Sequence, residues 1–362
     1  MKLKVSRKEF VKAIQIAQRA ISPRSTIQIL EGILLKAIDN QIILISSDTE
    51  ITIKTSISAI VMEEGEIVVN SRLFGDIIRK FQGETIDINL EGTSMNLKCE
   101  KSNFNIQCQL PDEYPMLPIV EKNNTFNISS QELSDAIKKT SFAVSMDETR
   151  MVFTGVLMDL SQSKINFVAL DGFRMALKSV NKPNENMTSA IIPARTLNEL
   201  TKVLEDEDVS VNISRNMALF KTTTTEVYTT LLSGEFFKYQ GLITESHTTI
   251  CTVQRANLQS ALERASLLAK EDRANLVKFE IEDSYIKISS NSEIGNVEEI
   301  VESKVEGGSL KIAFNSKYLL DGIKIMESEE IKLYFTDSVN PCIIREDDED
   351  YIYLVLPVRL AK

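Results

Sequence analysis

VSRKEFVKAI occupies residues 5–14, ISSQELSDAI residues 128–137 and VQRANLQSAL residues 253–262, and the three segments align as one pattern. Apolar residues share the aligned positions at offsets of 123 and then 125 residues: Phe10, Leu133 and Leu258; Ala13, Ala136 and Ala261; Ile14, Ile137 and Leu262. This period is far longer than the roughly 20–50 residues of a solenoid repeat. The pattern predicts three copies of one domain-sized fold.

A second segment repeats later in each copy: NSRLFGDIIRKF at 70–81, PARTLNELTKVL at 193–204 and NSKYLLDGIKIM at 315–326. The chain has 362 residues, more than one hydrophobic core usually organises. Three domains are therefore expected, with boundaries at residues 1–122, 123–247 and 248–362.

Each copy has the signals of several strands and two helices. Strand patterns with β-branched residues or period-two alternation occupy 41–57, 104–110, 164–170, 285–290 and 351–360. The two repeated segments are the helices, because Phe10, Ala13, Ile14, Ala17 and Ile21 recur at three- and four-residue steps. Polar linkers are expected at 121–127 and 243–250. The fold class is α+β, with two helices packed on antiparallel sheets three times.

Composition limits the class of protein. No apolar run approaches the roughly 18 residues of a membrane span, and the N-terminal MKLKVSRKEF has no signal-peptide core. A cytoplasmic protein without membrane contact is expected. The four cysteines form no CxxC pair, which favours reduced thiols over a zinc site or disulfides: Cys99, Cys108, Cys251 and Cys342.

No residue pattern indicates catalysis, a metal or a cofactor. The single histidine, His247, lies in a polar linker, so no Ser-His-Asp, Cys-His or histidine metal site is available, and it is expected to be a surface residue. No phosphate-binding glycine loop occurs. The acidic run at 346–350 is typical of a solvated loop. A non-enzymatic protein is expected.

Charge is unevenly distributed. The chain has net charge −11, yet the six helical segments carry sixteen cations and ten acids, which leaves −17 for the rest. Those segments are 5–21, 70–81, 128–144, 193–206, 253–270 and 315–327. If all the helices faced one way, that face would attract a phosphate backbone while the remaining surface repelled it.

The second helix of each copy keeps a charge pattern. Two cations lie seven residues apart, roughly 10 Å along one helix face, with an acid between them. The aligned sets are Arg72, Asp76 and Arg79; Arg195, Glu199 and Lys202; Lys317, Asp321 and Lys324. A solvated face with ion pairs three and four residues apart is the alternative to a phosphate-contacting face.

The whole chain resembles the bacterial DNA polymerase III beta subunit family of sliding clamps. The resemblance rests on the order and spacing of several motifs: SPRSTIQILEGILL (22–35), SSDTEITI (46–53), DEYPMLP (112–118), FTGV (153–156), LDGFRMA (170–176), RASLLAKE (264–271), FNSKYLLDGIK (314–324) and YLVLPVRL (353–360). It implies a non-catalytic subunit of the polymerase holoenzyme that forms a head-to-tail homodimeric ring.

The family likeness assigns three surfaces. At the dimer interface, Phe104 and Ile106 would meet Leu267 and Leu268 of the other copy; burial in their own domains is the alternative. Helices would line the hole and contact double-stranded DNA without reading sequence. The candidate phosphate-contacting cations are Arg24, Arg72, Arg79, Lys80, Arg150, Arg195 and Lys202.

The third surface is a cleft between the second and third domains that would bind short peptides of partners. These would be the polymerase III alpha subunit, the clamp loader and other proteins with a clamp-binding motif. The implied cleft residues are Phe153, Leu170, Gly172, Phe173, Arg174, Met175, Phe237, Leu242, Asn315, Tyr318, Val339, Pro341, Val355, Leu356, Pro357, Val358, Arg359 and Leu360. For each apolar member, a place in the core is the alternative.

The chain departs from the family pattern inside this cleft. Leu170 and Phe173 stand where the family commonly has Thr and His, Phe237 where it has Pro, and Gly241 where some members have a basic residue. A more apolar cleft with altered peptide preference is expected. A divergent paralogue that acts mainly as a scaffold for repair or element-encoded proteins is the alternative function.

Overall fold

The computed structural model describes residues 1–22, 26–121, 124–183, 187–270, 275–347 and 350–359. The chain forms two compact units. The first contains Met1–Leu133 and Arg195–Leu231, and the second contains Ser134–Ala194 and Leu232–Lys362. Neither boundary coincides with the sequence repeat, since both units contain parts of the middle copy.

The two repeated segments of each copy are helices, as the periodicity predicts. The α-helices are α1 (Arg7–Ala17), α2 (Ser71–Lys80), α3 (Ser130–Thr140), α4 (Ala194–Leu200), α5 (Arg255–Ala269) and α6 (Ser316–Ile323). Short 3-10 helices occupy Gln18–Ala20, Gln28–Glu31, Ser141–Ala143, Glu148–Thr154 and Tyr239–Leu242. No helix in the described ranges is long and apolar enough to cross a membrane.

The first helix pair shows why the repeat folds this way. Phe10, Ala13, Ile14 and Ala17 of the predicted stripe are buried, whereas Ile21 lies beyond the end of α1 and is half-buried. The Phe10 ring meets Phe74 of α2 edge to face at 5.6 Å. The amide of Gln18 donates to the Ser71 carbonyl at 2.7 Å. The end of α1 therefore lies beside the start of α2, and the two helices are antiparallel neighbours.

The strands are all paired antiparallel. They are β1 (Lys2–Ser6), β2 (Gly32–Ile38), β3 (Gln41–Ser47), β4 (Ile51–Glu63), β5 (Gly65–Asn70), β6 (Thr85–Glu91), β7 (Ser94–Cys99), β8 (Ser102–Gln107), β9 (Asn124–Ser129), β10 (Gly155–Leu160), β11 (Lys164–Leu170), β12 (Arg174–Asn181), β13 (Thr188–Pro193), β14 (Asp208–Ile213), β15 (Met217–Lys221), β16 (Thr225–Thr230), β17 (Thr249–Gln254), β18 (Leu276–Glu282), β19 (Tyr285–Ser292), β20 (Gly295–Glu302), β21 (Lys304–Gly307), β22 (Leu310–Asn315), β23 (Glu330–Phe335), β24 (Cys342–Arg345) and β25 (Tyr351–Val355).

The sheets cross the boundaries of the sequence repeat. In the first unit, one sheet runs β8-β7-β6-β1-β4-β16-β15-β14-β9, with β3, β2 and β5 branching from β4. In the second unit, one sheet runs β13-β10-β11-β12-β25-β24-β23-β17-β21 and another runs β20-β19-β18-β22. Strand β4 of the first copy thus pairs with β16 of the second, and β12 of the second copy with β25 of the third.

The last predicted strand is shorter than its pattern indicates. Strand β25 ends at Val355, and residues 356–359 continue as irregular chain. Pro357 has no N–H to donate to a ladder. The amides on either side of it bond elsewhere, Leu356 to the Phe173 carbonyl and Val358 to the Ala313 carbonyl, each at 2.8 Å. The tail is held by these two bonds.

Candidate functional site

The turn between β11 and β12 builds one wall of a cleft. The Asp171 carboxylate accepts hydrogen bonds from the backbone N–H groups of Phe173 and Arg174, at 2.9 and 3.1 Å. Gly172 has φ +93°, a conformation that glycine adopts without strain. The turn leaves Phe173 56% exposed and sends Met175, 1% exposed, into the core.

Arg174 ties this turn to α6 and is almost fully engaged. Its guanidinium donates to Asp171 at 3.0 Å, to Asp321 at 2.6 Å and to the Phe142 carbonyl at 3.1 Å. It also lies 4.8 Å from the centroid of the Tyr318 ring. A guanidinium has five N–H donors, so few remain for a ligand. Arg174 is a structural member of the wall, since it is only 9% exposed.

A cavity of about 300 Å³ opens beside this turn. Its lining is mostly apolar, as in sites that bind hydrophobic side chains. The lining residues are Arg150, Phe153, Leu170, Gly172, Arg174, Met175, Phe237, Leu242, Leu354 and Leu356. We call this cavity and its rim the cleft.

Aromatic side chains form the rim of the cleft. Phe173 stacks on Tyr318 with ring centroids 5.8 Å apart, and Phe153 meets Phe236 edge to face at the same distance. Phe237 is 48% exposed. Removing these apolar rings from water is favourable, so the rim suits an apolar ligand.

The structure brings many of the predicted cleft residues to the cavity wall: Phe153, Leu170, Gly172, Arg174, Met175, Phe237, Leu242 and Leu356. Phe173 and Tyr318 lie at the rim. Sequence reasoning missed Leu354, which lies opposite Met175 across the β12–β25 ladder. It also assigned Arg150 to DNA; the Arg150 guanidinium lies 5.6 Å from the Phe153 ring centroid and lines the cavity.

The other predicted cleft residues that the structure describes do not line the cavity. Asn315 accepts a hydrogen bond from the Lys317 N–H at the start of α6, at 3.0 Å. Val339 is exposed in a turn held by Asp337, Val355 is fully buried in β25, and Pro341 precedes β24. The remaining members belong to the irregular tail: Pro357, Val358 and Arg359. Leu360 lies outside the described residues.

The predicted phosphate-contacting cations differ in how far they are already paired. Arg79 pairs with Asp76, and Lys202 with Glu199 at 2.7 Å, as the ion-paired alternative describes. Arg195 pairs with Asp48, and Arg150 with Asp147 at 3.5 Å. Among the described residues, no ion pair engages the exposed Arg72 and Lys80. Arg24 lies outside the described residues.

Two of the three acids between the cations also join successive copies of the repeat. Glu199 of α4 lies 3.5 Å from Arg19, and Asp321 of α6 lies 2.6 Å from Arg174. Each acid therefore meets an arginine from the preceding copy. These contacts fix the second helix of one copy against the copy before it.

The predicted dimer residues lie on or near the sheet edges. Strand β8 is the outer strand of the first unit's sheet, and Phe104 on it is 43% exposed and packs on Phe81. Ile106 packs against the core of the first copy. Leu267 of α5 is 67% exposed and Leu268 is half-buried.

His247 is half-buried, contrary to a simple surface position. Its ring packs on Tyr334 with centroids 4.8 Å apart. Burial, and then the nearby Arg345 charge, lower the pKa of His247. In the part of the chain that the structure describes, no three His, Cys, Asp or Glu side chains cluster as metal ligands.

Comparisons with known proteins agree along the whole chain. Family models of the DNA polymerase III beta subunit match residues 1–118 (N-terminal domain), 127–238 (central domain) and 240–359 (C-terminal domain). Beta sliding clamps of Staphylococcus epidermidis and Staphylococcus aureus are each 34% identical, with 99% of both chains covered. The solved DNA polymerase sliding clamp from Bacillus subtilis is 34% identical with TM-score 0.96 over 100% of both chains. The beta subunit from Thermotoga maritima is 30% identical with TM-score 0.93, over 99% of this chain and 100% of the other.

Proposed function

The chain belongs to the DNA polymerase III beta subunit family of non-catalytic sliding clamps, and from this membership we propose that two copies close head to tail into a ring around duplex DNA. The ring holds the replicative polymerase on its template, and the cleft receives peptides of the polymerase and of other partners. A clamp loader opens the ring. Domain boundaries at 1–122, 123–247 and 248–362 and a cytoplasmic location belong to the same proposal.

The strand pairing between successive copies carries the ring proposal. The hairpin strand β4 of the first copy pairs with β16 of the second, and its equivalent β12 pairs with β25 of the third. The next equivalent, β20, is the outer strand of its sheet, and so is β8 of the first copy. A third junction of the same kind therefore needs β8 of another chain, and two chains satisfy both edges.

Side-chain chemistry supports this junction. The β20 edge carries Glu298, Glu299 and Glu302, whereas Lys98 and Lys101 flank the β7–β8 turn. Exposed apolar side chains accompany the charges, with Leu73 on α2 53% exposed and Ile300 on β20 60% exposed. Opposite charges around an apolar centre favour the pairing of these two edges over the pairing of identical edges.

Enclosure explains why a chain of net charge −11 can work on DNA. Contacts from helix cations to phosphates hold no sequence information, so the ring can move between registers with little barrier. Topology then supplies the residence time that weak contacts lack. The acidic remainder of the surface disfavours binding of DNA outside the hole.

Retention on circular DNA tests the proposal. Protein loaded by a clamp loader onto nicked circular DNA should stay bound in high salt and dissociate when the circle is linearised. Stimulation of the replicative polymerase, assayed on the same DNA, should accompany retention. Equal retention on linear and circular DNA would contradict enclosure, and retention without stimulation would favour the scaffold alternative.

A further inference from the structure

The cationic charge of the helices is concentrated in the first copy. Its two helical segments carry seven cations and two acids, those of the second copy four and five, and those of the third five and three. The affinity for a phosphate backbone rises with the local excess of cations, because each phosphate that a cation neutralises releases counterions from the DNA. The three copies are therefore unequal partners for an anionic ligand.

The difference is greatest where the second helix of each copy ends. The first copy reads RKFQGET at residues 79–85, with two cations and one acid. The aligned KVLEDED at 202–208 has one cation and four acids, and KIMESEE at 324–330 has one cation and three acids. The same corner of the repeat is basic once and acidic twice.

In the first copy, the start of α1 lies at this corner. A guanidinium nitrogen of Arg7 lies 3.5 Å from the carbonyl oxygen of Arg79. The exposed Lys8 and Lys80 follow these residues directly in sequence. Two pairs of neighbouring cations thus meet at one end of the α1–α2 pair, and among them an ion pair within the described residues engages only Arg79, through Asp76.

The Arg7 guanidinium is only partly hydrogen-bonded by its own chain. Its Nε is buried and has no hydrogen-bond partner among the described residues. Buried donors in folded proteins normally have a partner.

The corresponding corners of the other copies are acidic, and some of their carboxylates already contact cations or donors of the same chain. Lys12 pairs with Glu205, Gln131 donates to Asp206 at 2.9 Å, and Lys138 lies 3.7 Å from Glu327. No comparable excess of cations exists there. A phosphate backbone at those corners would meet carboxylates.

We infer that the corner formed by Arg7, Lys8, Arg79 and Lys80 is the principal phosphate-contacting site of this chain for duplex DNA. This inference rests on the proposed function and narrows its DNA surface from all three copies to the first. Lys8 and Arg7 become DNA contacts. Lys202 becomes part of an internal ion pair that adds little to binding.

Salt-dependent binding to a short labelled duplex tests this assignment without loading the ring. The Lys8→Glu/Lys80→Glu variant should bind about tenfold or more weakly, and the slope of log affinity against log salt should fall in magnitude by about 2. Lys202→Glu is the control, since it makes the same substitution at one exposed lysine just after α4, with half the total charge change of the double variant. It should change affinity less than about threefold.

Two results would overturn the inference. One is an equal loss of affinity in Lys202→Glu and in the double variant. The other is a double variant that keeps its affinity for duplex DNA. If that variant also dissociated into monomers, the corner would bind an acidic surface of the second chain instead of DNA. Retention of the unmodified chain on nicked circular DNA tests the ring separately. Failure of the ring proposal can therefore be distinguished from failure of the phosphate-site assignment.

Discussion

At the residue scale, the same turn is built twice with different residues. Asp48 accepts from the N–H groups of Glu50 and Ile51 as Asp171 does from Phe173 and Arg174. The position after Asp171 is Gly172, but the position after Asp48 is Thr49, with φ +80°. A β-branched residue rarely adopts this conformation and is strained by about 1–3 kcal/mol.

Thr49→Gly should therefore stabilise the protein. Thr49 is exposed, so little packing is lost, and the strain relieved exceeds the roughly 0.5–1 kcal/mol entropic cost of glycine. We expect the midpoint of thermal unfolding to rise by about 2–4 °C. The converse change Gly172→Thr should lower the midpoint, because threonine is strained at this positive φ. Steric clash adds nothing to the effect, since a β-carbon at that position would make only ordinary contacts. A lower midpoint for Thr49→Gly would show that no strain is stored at this turn.

Phe237 offers the cleanest test of the cleft. Met175 is a less suitable position because it is 1% exposed and belongs to the core, where a lysine would destabilise the fold. Phe237→Asp places a charge on a half-exposed wall instead. It should weaken binding of a labelled peptide containing Leu and Phe by about 30-fold or more, about 2 kcal/mol, in a fluorescence anisotropy titration.

Met146→Asp is the matched control for that variant. Met146 is 92% exposed and does not line the cavity, so its replacement should leave peptide affinity unchanged. Equal affinities for Phe237→Asp and the unmodified chain would place the peptide elsewhere.

At the element scale, local sequence pattern predicted the helices but could not predict which strands of successive copies pair. We call such a pairing a seam. The stripe from Phe10 to Ala17 identifies α1 because helix periodicity is a property of neighbouring residues. The pairing of β4 with β16 joins residues about 170 positions apart in the sequence, and the residue pattern of either strand does not identify the strand it pairs with. Leu354 was missed for this reason, since only the β12–β25 register brings it to the cleft beside Met175.

The β4–β16 seam contains an ion cluster that makes its stability depend on pH. Burial alone would raise the pKa of Glu226, but hydrogen bonds from Lys221, Tyr228 and Lys54 lower it to about 2. A carboxylate whose pKa falls on folding stabilises the folded state above its ordinary pKa near 4.5. That contribution is lost as the pH falls through about 2.

Glu226→Gln should destabilise the protein by about 1–2 kcal/mol at neutral pH, after allowance for solvent screening. The difference should shrink as the pH falls from 4.5 towards 2, because Glu226 takes up a proton in the unfolded chain while the folded chain still holds it as a carboxylate. Urea unfolding at a series of pH values measures it. Glu31→Gln on the exposed surface is the control. A destabilisation that did not vary with pH would assign the effect to packing.

At the scale of the whole molecule, the repeat predicted three copies but not how they are divided. The two compact units both take part of the middle copy, because sheets continue across the repeat boundaries. Sequence similarity among the copies reports their common core, whereas the junctions depend on edge strands such as β16 and β25. The same reasoning leaves β8 and β20 as the two edges that the second chain of the proposed ring would complete.

If two chains form the proposed ring, Leu267→Asp should convert it into monomers. Leu267 is 67% exposed on α5, so the substitution costs the isolated chain little, and a carboxylate buried at an apolar junction is expensive. In a closed ring of two chains the substitution occurs at both junctions, so its cost is counted twice. Light scattering after gel filtration at micromolar concentration should give half the mass of the unmodified protein. Met116→Asp, at a 93% exposed position that belongs to neither β8 nor β20, should remain dimeric. A Leu267→Asp variant that kept the dimer mass and its retention on circular DNA would exclude α5 from the junction, and the ring would have to close through other surfaces.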